Sequence, residues 1–169
     1  TTDSDYEVQN QYNFVVVATD AAGNQSDAQS VTLNINNNDD TAPVITSADT
    51  AAAIDENTGA GQVVYTTIAD DSSDVSNGVT YSLSDDSDSA LSIDASTGEV
   101  SLTTDPDFET QSQYSFTVIA SDGVNAEAQQ TVTLDINNID EVAPIITSDT
   151  GSNIDENSGA GQVIYTATS

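Results

Sequence analysis

Hydrophobic and polar residues alternate along most of this chain. Val132, Leu134 and Ile136 are separated by single polar residues, and Tyr81 and Leu83 follow the same spacing. Strict alternation is typical of a β-strand that turns one face to a protein core and the other to water. No segment shows the 3.6-residue period of an amphipathic helix, so the pattern predicts an all-β protein.

Turn-forming dipeptides divide the middle of the chain into short strands. Asn77-Gly78, Asp105-Pro106 and Asp122-Gly123 are the clearest of these signals. Seven short antiparallel strands in about 100 residues are typical of an immunoglobulin-like Greek-key β-sandwich. The seven strands are predicted at residues 44–54, 62–69, 78–83, 90–93, 99–103, 113–121 and 127–136.

The sequence repeats itself. Residues 42–47 return at 143–148, an offset of 101, and residues 54–66 return at 154–166 with 11 of 13 positions identical. A period of this length is the size of a domain rather than of a short solenoid unit. We therefore expect tandem β-sandwiches with about seven strands per repeat. Their predicted bounds are 1–40 for the C-terminal part of one repeat, 41–142 for a complete repeat and 143–169 for the N-terminal part of a third.

The amino-acid composition argues against several classes of function. The chain has 29 Asp and Glu residues and no Lys, Arg or His, which gives a formal net charge of −29. Without basic residues it has no means of neutralising phosphates, so we expect no nucleic-acid partner and no attraction to anionic lipids. No stretch of about 20 apolar residues is present for direct membrane insertion. Because Cys, His and Lys are all missing, few catalytic groups remain, and we predict that this chain is not an enzyme.

Acidic and amide residues concentrate where one repeat passes into the next. Residues 138–144 (Asn-Ile-Asp-Glu-Val-Ala-Pro) follow the last predicted strand, and residues 37–43 (Asn-Asn-Asp-Asp-Thr-Ala-Pro) are their earlier copy. Carboxylates about 4 Å apart repel each other by several kcal/mol at an effective dielectric constant near 20. A divalent cation offsets that repulsion, and Ca²⁺ tolerates irregular cages of roughly six to eight oxygen ligands. The sequence therefore predicts calcium at these linkers.

Several of these motifs together resemble the cadherin repeat. They are Ile54-Asp55-Glu56-Asn57, Asp107-Phe108-Glu109, Ala120-Ser121-Asp122-Gly123 and the linker from Asn138 to Pro144, in that order. The sequence departs from the family pattern at Phe108, where the family has Arg, and in its linkers. In these departures, and in phrases such as Ser-Ile-Asp-Ala-Ser-Thr-Gly-Glu-Val, it resembles bacterial cadherin-like repeats of large surface adhesins.

The resemblance implies two sets of calcium ligands, one at each junction between repeats. The first set is Asp5, Glu7, Asn38, Asp39, Asp40, Asp71, Asp74 and Asp122. The second set is Glu56, Asp107, Glu109, Asn138, Asp140 and Glu141.

These observations favour a mechanical function outside the cell. We expect a calcium-binding extender segment of a secreted or cell-surface adhesin, in which Ca²⁺ stiffens the junctions. Its partners would be the neighbouring repeats of the same chain, with any cell-surface or polysaccharide ligand bound through other domains. Two alternatives stay open: a carbohydrate-binding or homophilic-binding module, and a spacer in a secreted polysaccharide-degrading enzyme. The absence of Trp favours the extender over a sugar-binding platform.

Overall fold

The computed structural model describes residues 3–169 and divides into two compact units. The first unit extends to Asn138 and the second is Ile139–Ser169. Residues 3–169 form strands, turns and loops without a helix, so the described part of the chain has no helix able to cross a membrane. The predicted all-β class is confirmed.

The first unit begins with an antiparallel hairpin. Strand β1 (Gln11–Val16) pairs with strand β2 (Gln29–Asn34) in a register that places Phe14 opposite Val31. The apolar side chains of this hairpin are exposed, with Phe14 at 49%.

Nine further strands form a β-sandwich. One sheet has the order β4-β11-β10-β7, a second has the order β5-β9-β8, and β3 pairs with β6. Neighbouring strands run antiparallel except β4 and β11, which run parallel. The strands are β3 (Val44–Ile45), β4 (Ile54–Asp55), β5 (Val63–Thr66), β6 (Ala69–Asp70), β7 (Thr80–Leu83), β8 (Leu91–Ile93), β9 (Glu99–Leu102), β10 (Gln113–Ser121) and β11 (Ala128–Asn137).

The core lies between the two larger sheets and follows the alternation of the sequence. Phe116 of β10 and Leu134 of β11 are almost fully buried and face Leu102 of the opposite sheet within one hydrophobic cluster. The rings of Tyr65 and Phe116 meet edge to face, with centroids 5.8 Å apart. This packing joins the sheets and leaves the loops at both ends of the sandwich free to carry polar residues.

Two predicted strands are each divided in the structure. Residues 44–54 form β3 and β4, which belong to different sheets, because the intervening chain crosses over to lie beside Thr133. Residues 62–69 form β5 and β6, which are separated at Thr67. The Thr67 N–H donates to the Gly98 carbonyl at 2.8 Å. Gly98 has a φ of +72°, and a Cβ there would lie 2.5 Å from the Thr67 carbonyl oxygen, so only glycine fits this close approach.

The second unit reproduces contacts found at the start of the sandwich. The Thr147 N–H donates to the Thr168 carbonyl at 2.8 Å, just as the Thr46 N–H donates to the Ile68 carbonyl at 2.8 Å. The hydroxyls of Ser148 and Tyr165 are hydrogen-bonded, as are those of Ser47 and Tyr65. Asn57 and Asn157 share a left-handed backbone, with φ of 59° and 64°. The sequence repeat therefore extends to local backbone conformation.

Candidate metal centres

Three Asp residues from distant parts of the first unit form what we call the first acidic cluster. Asp39 lies in the segment between β2 and β3, Asp71 directly follows β6, and Asp122 directly follows β10. One carboxylate oxygen from each lies within 4.8 Å of the other two, and Asp71 is only 9% exposed. Like charges this close in a partly buried place are unfavourable unless a cation neutralises them.

One oxygen of the first acidic cluster is buried without a partner. Within residues 3–169, the Oδ2 atom of Asp39 accepts no hydrogen bond, and the same holds for the Oδ1 atom of Asn37, two residues earlier. A buried acceptor left unpaired costs roughly 1–3 kcal/mol, and a charged one costs more. Two such oxygens beside other carboxylates fit the requirements of a hard cation.

Asn125 holds the first acidic cluster together. Its side-chain amide donates to Oδ1 of Asp39 at 2.8 Å, to Oδ2 of Asp122 at 3.0 Å and to the Thr41 carbonyl at 3.2 Å. Backbone N–H groups of Val124 and Asn125, followed by the Asn125 amide, lower the pKa of Asp122. The sequence did not identify Asn125 as a site residue, although its place directly after Asp122-Gly123-Val124 was a usable signal.

Hydrogen bonds, electrostatic interactions and a shared cleft connect the other residues of the first predicted set with one another. The Asp40 N–H donates to Oδ2 of Asp74 at 3.1 Å, and this bond is the main cause of the lowered pKa of Asp74. A backbone hydrogen bond lowers the pKa of Glu7, but desolvation and the negative charges of Asp74 and Asp40 outweigh it, so that pKa is raised. Asp5 accepts the Val8 N–H at 3.0 Å. A cleft of about 140 Å³ brings together Asp5, Glu7, Asn37, Asn38 and Asp40.

Within this cleft, Asn37 has a better-placed side chain than the predicted Asn38. Asn38 is exposed, whereas Asn37 is half-buried with its Oδ1 enclosed. The sequence repeat could have identified Asn37, because residues 31–37 return at 132–138 and so align Asn37, not Asn38, with the predicted ligand Asn138.

Glu56, Asp107 and Glu109 form the second acidic cluster, with one oxygen of each within 4.8 Å of the others. Glu56 is 1% exposed, and its Oε2 accepts the Phe108 N–H at 2.7 Å. Asp107 accepts bonds from the N–H and the hydroxyl of Thr110, at 3.0 and 2.9 Å.

The structure brings a fourth predicted residue to this cluster and describes the last two separately. The Asn138 amide donates to Oε1 of Glu109 at 2.9 Å. Asp140 and Glu141 belong to the second unit, where both are exposed and Asp140 accepts the Val142 N–H at 3.1 Å.

Both clusters present oxygen atoms that could act as metal ligands. Carboxylate and amide oxygens suit hard cations, and the irregular arrangement of these groups suits Ca²⁺ better than Mg²⁺, which needs near-octahedral geometry. The residues therefore fit a calcium ion at the first acidic cluster most closely, because there one of the three carboxylates has a buried oxygen without a partner in the described part of the chain.

The sequence is similar to known proteins of one family. The family model described as cadherin domain matches residues 50–137. Protocadherin Fat 1 of Homo sapiens is 34% identical over 146 residues, which cover 83% of this chain and 3% of that protein. Protocadherin-1 of Homo sapiens is 32% identical over 145 residues, covering 83% of this chain and 14% of that protein. The chain thus spans only a small part of these relatives.

Solved structures agree with the fold. A structure titled as the cis-dimer of protocadherin gammaB7 EC3-6 is 27% identical with a TM-score of 0.64, covering 88% of this chain and 39% of that one. A structure of mouse cadherin-23 EC22-24 has a TM-score of 0.67 at 23% identity, covering 99% of this chain and 55% of that one, and shows a shared fold. Since the family model covers more than half of the 169 residues, the chain belongs to the cadherin domain family.

Proposed function

We propose that this chain is a calcium-stiffened extender segment of an extracellular protein. Cadherin domains are extracellular and bind Ca²⁺ in general. The observation that carries the proposal is the buried Oδ2 of Asp39, which has no hydrogen-bond partner among residues 3–169 and belongs to a carboxylate that lies beside those of Asp71 and Asp122. A calcium ion bound there would supply positive charge that neutralises these oxygens.

The proposed ligands follow the two clusters. At the first junction Asp39, Asp71 and Asp122 form the centre, and Asn37 joins the predicted residues around it. Those predicted residues are Asp5, Glu7, Asn38, Asp40 and Asp74. At the second junction Glu56, Asp107 and Glu109 form the centre, with Asn138, Asp140 and Glu141 as the remaining proposed ligands. The proposed repeat boundaries are 40/41 and 142/143.

The first acidic cluster supports a stiffening mechanism because its residues come from two places. Asp39 belongs to the linker after the β1–β2 hairpin, whereas Asp71 and Asp122 belong to loops of the sandwich. Without a cation, mutual repulsion separates these carboxylates and frees the linker. With one, the three carboxylates are drawn together, and Asn125 keeps Asp39 and Asp122 in register through its two carboxylate bonds.

The wider context we propose is a bacterial surface adhesin. Support comes from sequence phrases that resemble those of such proteins, from the internal repeats and from a net charge of −29 without a single basic residue. Neighbouring repeats are then the direct partners, and other domains contact cells or polysaccharides. The full reading frame distinguishes the contexts: further repeats beside this segment support an adhesin, and a glycoside-hydrolysing domain contradicts it.

Thermal unfolding with calcium and with chelator tests the calcium proposal. Binding to the folded state alone at about 100 times Kd adds about 2.7 kcal/mol, which raises Tm. Asp71→Asn should reduce that rise. Asp85→Asn should leave it unchanged, because Asp85 is exposed and lies outside both clusters. The proposal would be contradicted if calcium did not change Tm, or if it raised the Tm of both variants by the same amount.

A further inference from the structure

One dipeptide of the loop after β6 has a reactivity of its own. Asn77-Gly78 is the only Asn-Gly pair in the sequence. Both residues are exposed and lie outside regular secondary structure, and Gly78 has a φ of +99°. Asn is among the thermolabile residues. An Asn followed by Gly is the most reactive context, because no side chain shields the backbone nitrogen that attacks the amide.

The Asn77 side chain is also unrestrained. Among residues 3–169 no hydrogen bond holds its amide. By contrast, the Asn24 amide donates to Oδ2 of Asp20 at 2.9 Å, and the Asn125 amide makes three bonds. Asn77 is therefore free to rotate its carbonyl carbon toward the following peptide nitrogen.

A short chain of hydrogen bonds connects the attacking nitrogen to the first acidic cluster. The Gly78 N–H donates to the Ser76 hydroxyl oxygen at 3.1 Å, and the Ser76 hydroxyl donates in turn to Oδ2 of Asp71. The Gly78 N–H must leave Ser76 before its nitrogen reacts. The bonds from Asp71 through Ser76 therefore restrain the reaction.

We propose that Asn77 is a site of spontaneous deamidation whose rate is controlled by the hydrogen bonds from Asp71 through Ser76 to Gly78. The Gly78 nitrogen loses its proton to solvent and forms a bond to Cγ of Asn77, while the Cγ–Nδ2 bond breaks and Nδ2 takes up a proton from solvent and leaves as ammonia. Water then opens the succinimide ring at one of its two carbonyls and gives aspartate or isoaspartate. Either product adds a carboxylate to the loop that already carries Asp71 and Asp74.

The link to calcium rests on the proposed function. A cation that holds Asp71 also holds the Ser76 and Gly78 bonds that depend on it, so calcium should slow deamidation. The added charge of the product in turn changes how strongly the loop repels itself when calcium is absent. The loop would then record the time that the protein has spent without its cation.

Mass spectrometry of the whole 169-residue chain, aged in mildly alkaline buffer with chelator, tests the proposal. A protease that cleaves after acidic residues is needed, because the chain has no Lys or Arg. Asn77 should gain the mass of deamidation faster than Asn24 or Asn125. Ser76→Ala should speed the reaction about fivefold, the equivalent of one lost hydrogen bond. Ser73→Ala, in the same loop but outside the bonded chain, should leave it unchanged, and Asn77→Gln should abolish it.

The outcomes separate this inference from the proposed function. If Asn77 reacts no faster than Asn24, or if Ser76→Ala matches Ser73→Ala, the inference is overturned even where calcium raises Tm. If Ser76→Ala accelerates the reaction while calcium changes neither Tm nor rate, the inference stands and the proposed function fails.

Discussion

The two acidic clusters differ in how their carboxylates are satisfied by the protein itself. In the second cluster, Glu56 is the most buried group and accepts a backbone N–H from Phe108, while Asp107 is bonded to Thr110. In the first, Asp39 keeps one buried oxygen without a partner in the described chain. The second cluster thus has a structural role even without a cation, whereas the first is the one that we propose depends on calcium.

The two clusters also differ in which parts of the fold supply their residues. The second cluster brings Glu56, at the end of β4, to two residues that precede β10, all within the sandwich. The first joins Asp39 of a linker to loops more than thirty residues further along the chain. The sandwich already fixes the residues of the second cluster, whereas Asp39 belongs to a linker, so we expect a cation to have the larger effect on order at the first cluster.

The largest expected effect is at Glu56. Replacing it with Ala leaves the Phe108 N–H without its acceptor and opens a cavity, which should lower the free energy of unfolding by about 2–4 kcal/mol with chelator present. Glu109→Ala removes an exposed carboxylate of the same cluster and should cost less than about 1 kcal/mol. Urea unfolding measures both. Equal losses would show that Glu56 has no structural role of its own.

A smaller effect, but one that changes sign, is expected at Asp71. In chelator, Asp71→Asn removes one of three repelling charges and should raise the free energy of unfolding by about 1 kcal/mol. In calcium it removes a ligand and should lower that energy relative to the wild-type chain. Asp85→Asn is the control and should shift neither condition. A change of the same sign in both conditions would argue against a cation at the first acidic cluster.

Asn125→Ala should lower the free energy of unfolding by about 1–2 kcal/mol, because three hydrogen bonds from one amide are lost. Asn24→Ala is the matched variant, since Asn24 occupies the corresponding loop of the β1–β2 hairpin and, among residues 3–169, its amide donates only to Asp20. Asn24→Ala should lower the free energy of unfolding by less than half as much as Asn125→Ala. Unfolding in chelator distinguishes them, and similar losses would mean that Asn125 does not organise the cluster.

The smallest expected effect is on stability at low pH. It concerns Asp94, a carboxylate outside both clusters that is stabilised by hydrogen bonds and needs no cation. The Ser96 side chain, the Ser96 N–H and the Thr97 N–H lower the pKa of Asp94 to about 2 from an ordinary 3.8. Its stabilising effect is therefore complete above the ordinary pKa and is lost as pH falls toward 2. Asp94→Asn should reduce acid stability equally with and without calcium. A calcium-dependent difference, measured by unfolding against pH, would contradict this assignment.

The alternation of residues was sufficient to predict the fold class and the core, because Phe116, Val132 and Leu134 are buried where the pattern placed them. It did not show that residues 44–54 change sheets, since a crossing strand keeps the same alternation. The cadherin resemblance brought Asp39, Asp71 and Asp122 into one predicted set, and the structure places them together. Asn125 and Asn37 were missed because their importance comes from tertiary hydrogen bonding and burial, which a motif does not encode.

The parallel pairing of β4 with β11 has a mechanical consequence. The chain enters the sandwich through β3, continues into β4 and leaves through β11, and backbone bonds beside the β4–β11 pair join Ala51 to Thr133 (2.9 Å) and Glu56 to Asn137 (3.2 Å). Tension applied to the two ends of the sandwich pulls these parallel strands in opposite directions. Their hydrogen bonds are then loaded together in shear instead of being opened one after another, and the sandwich resists stretching along the line of the chain.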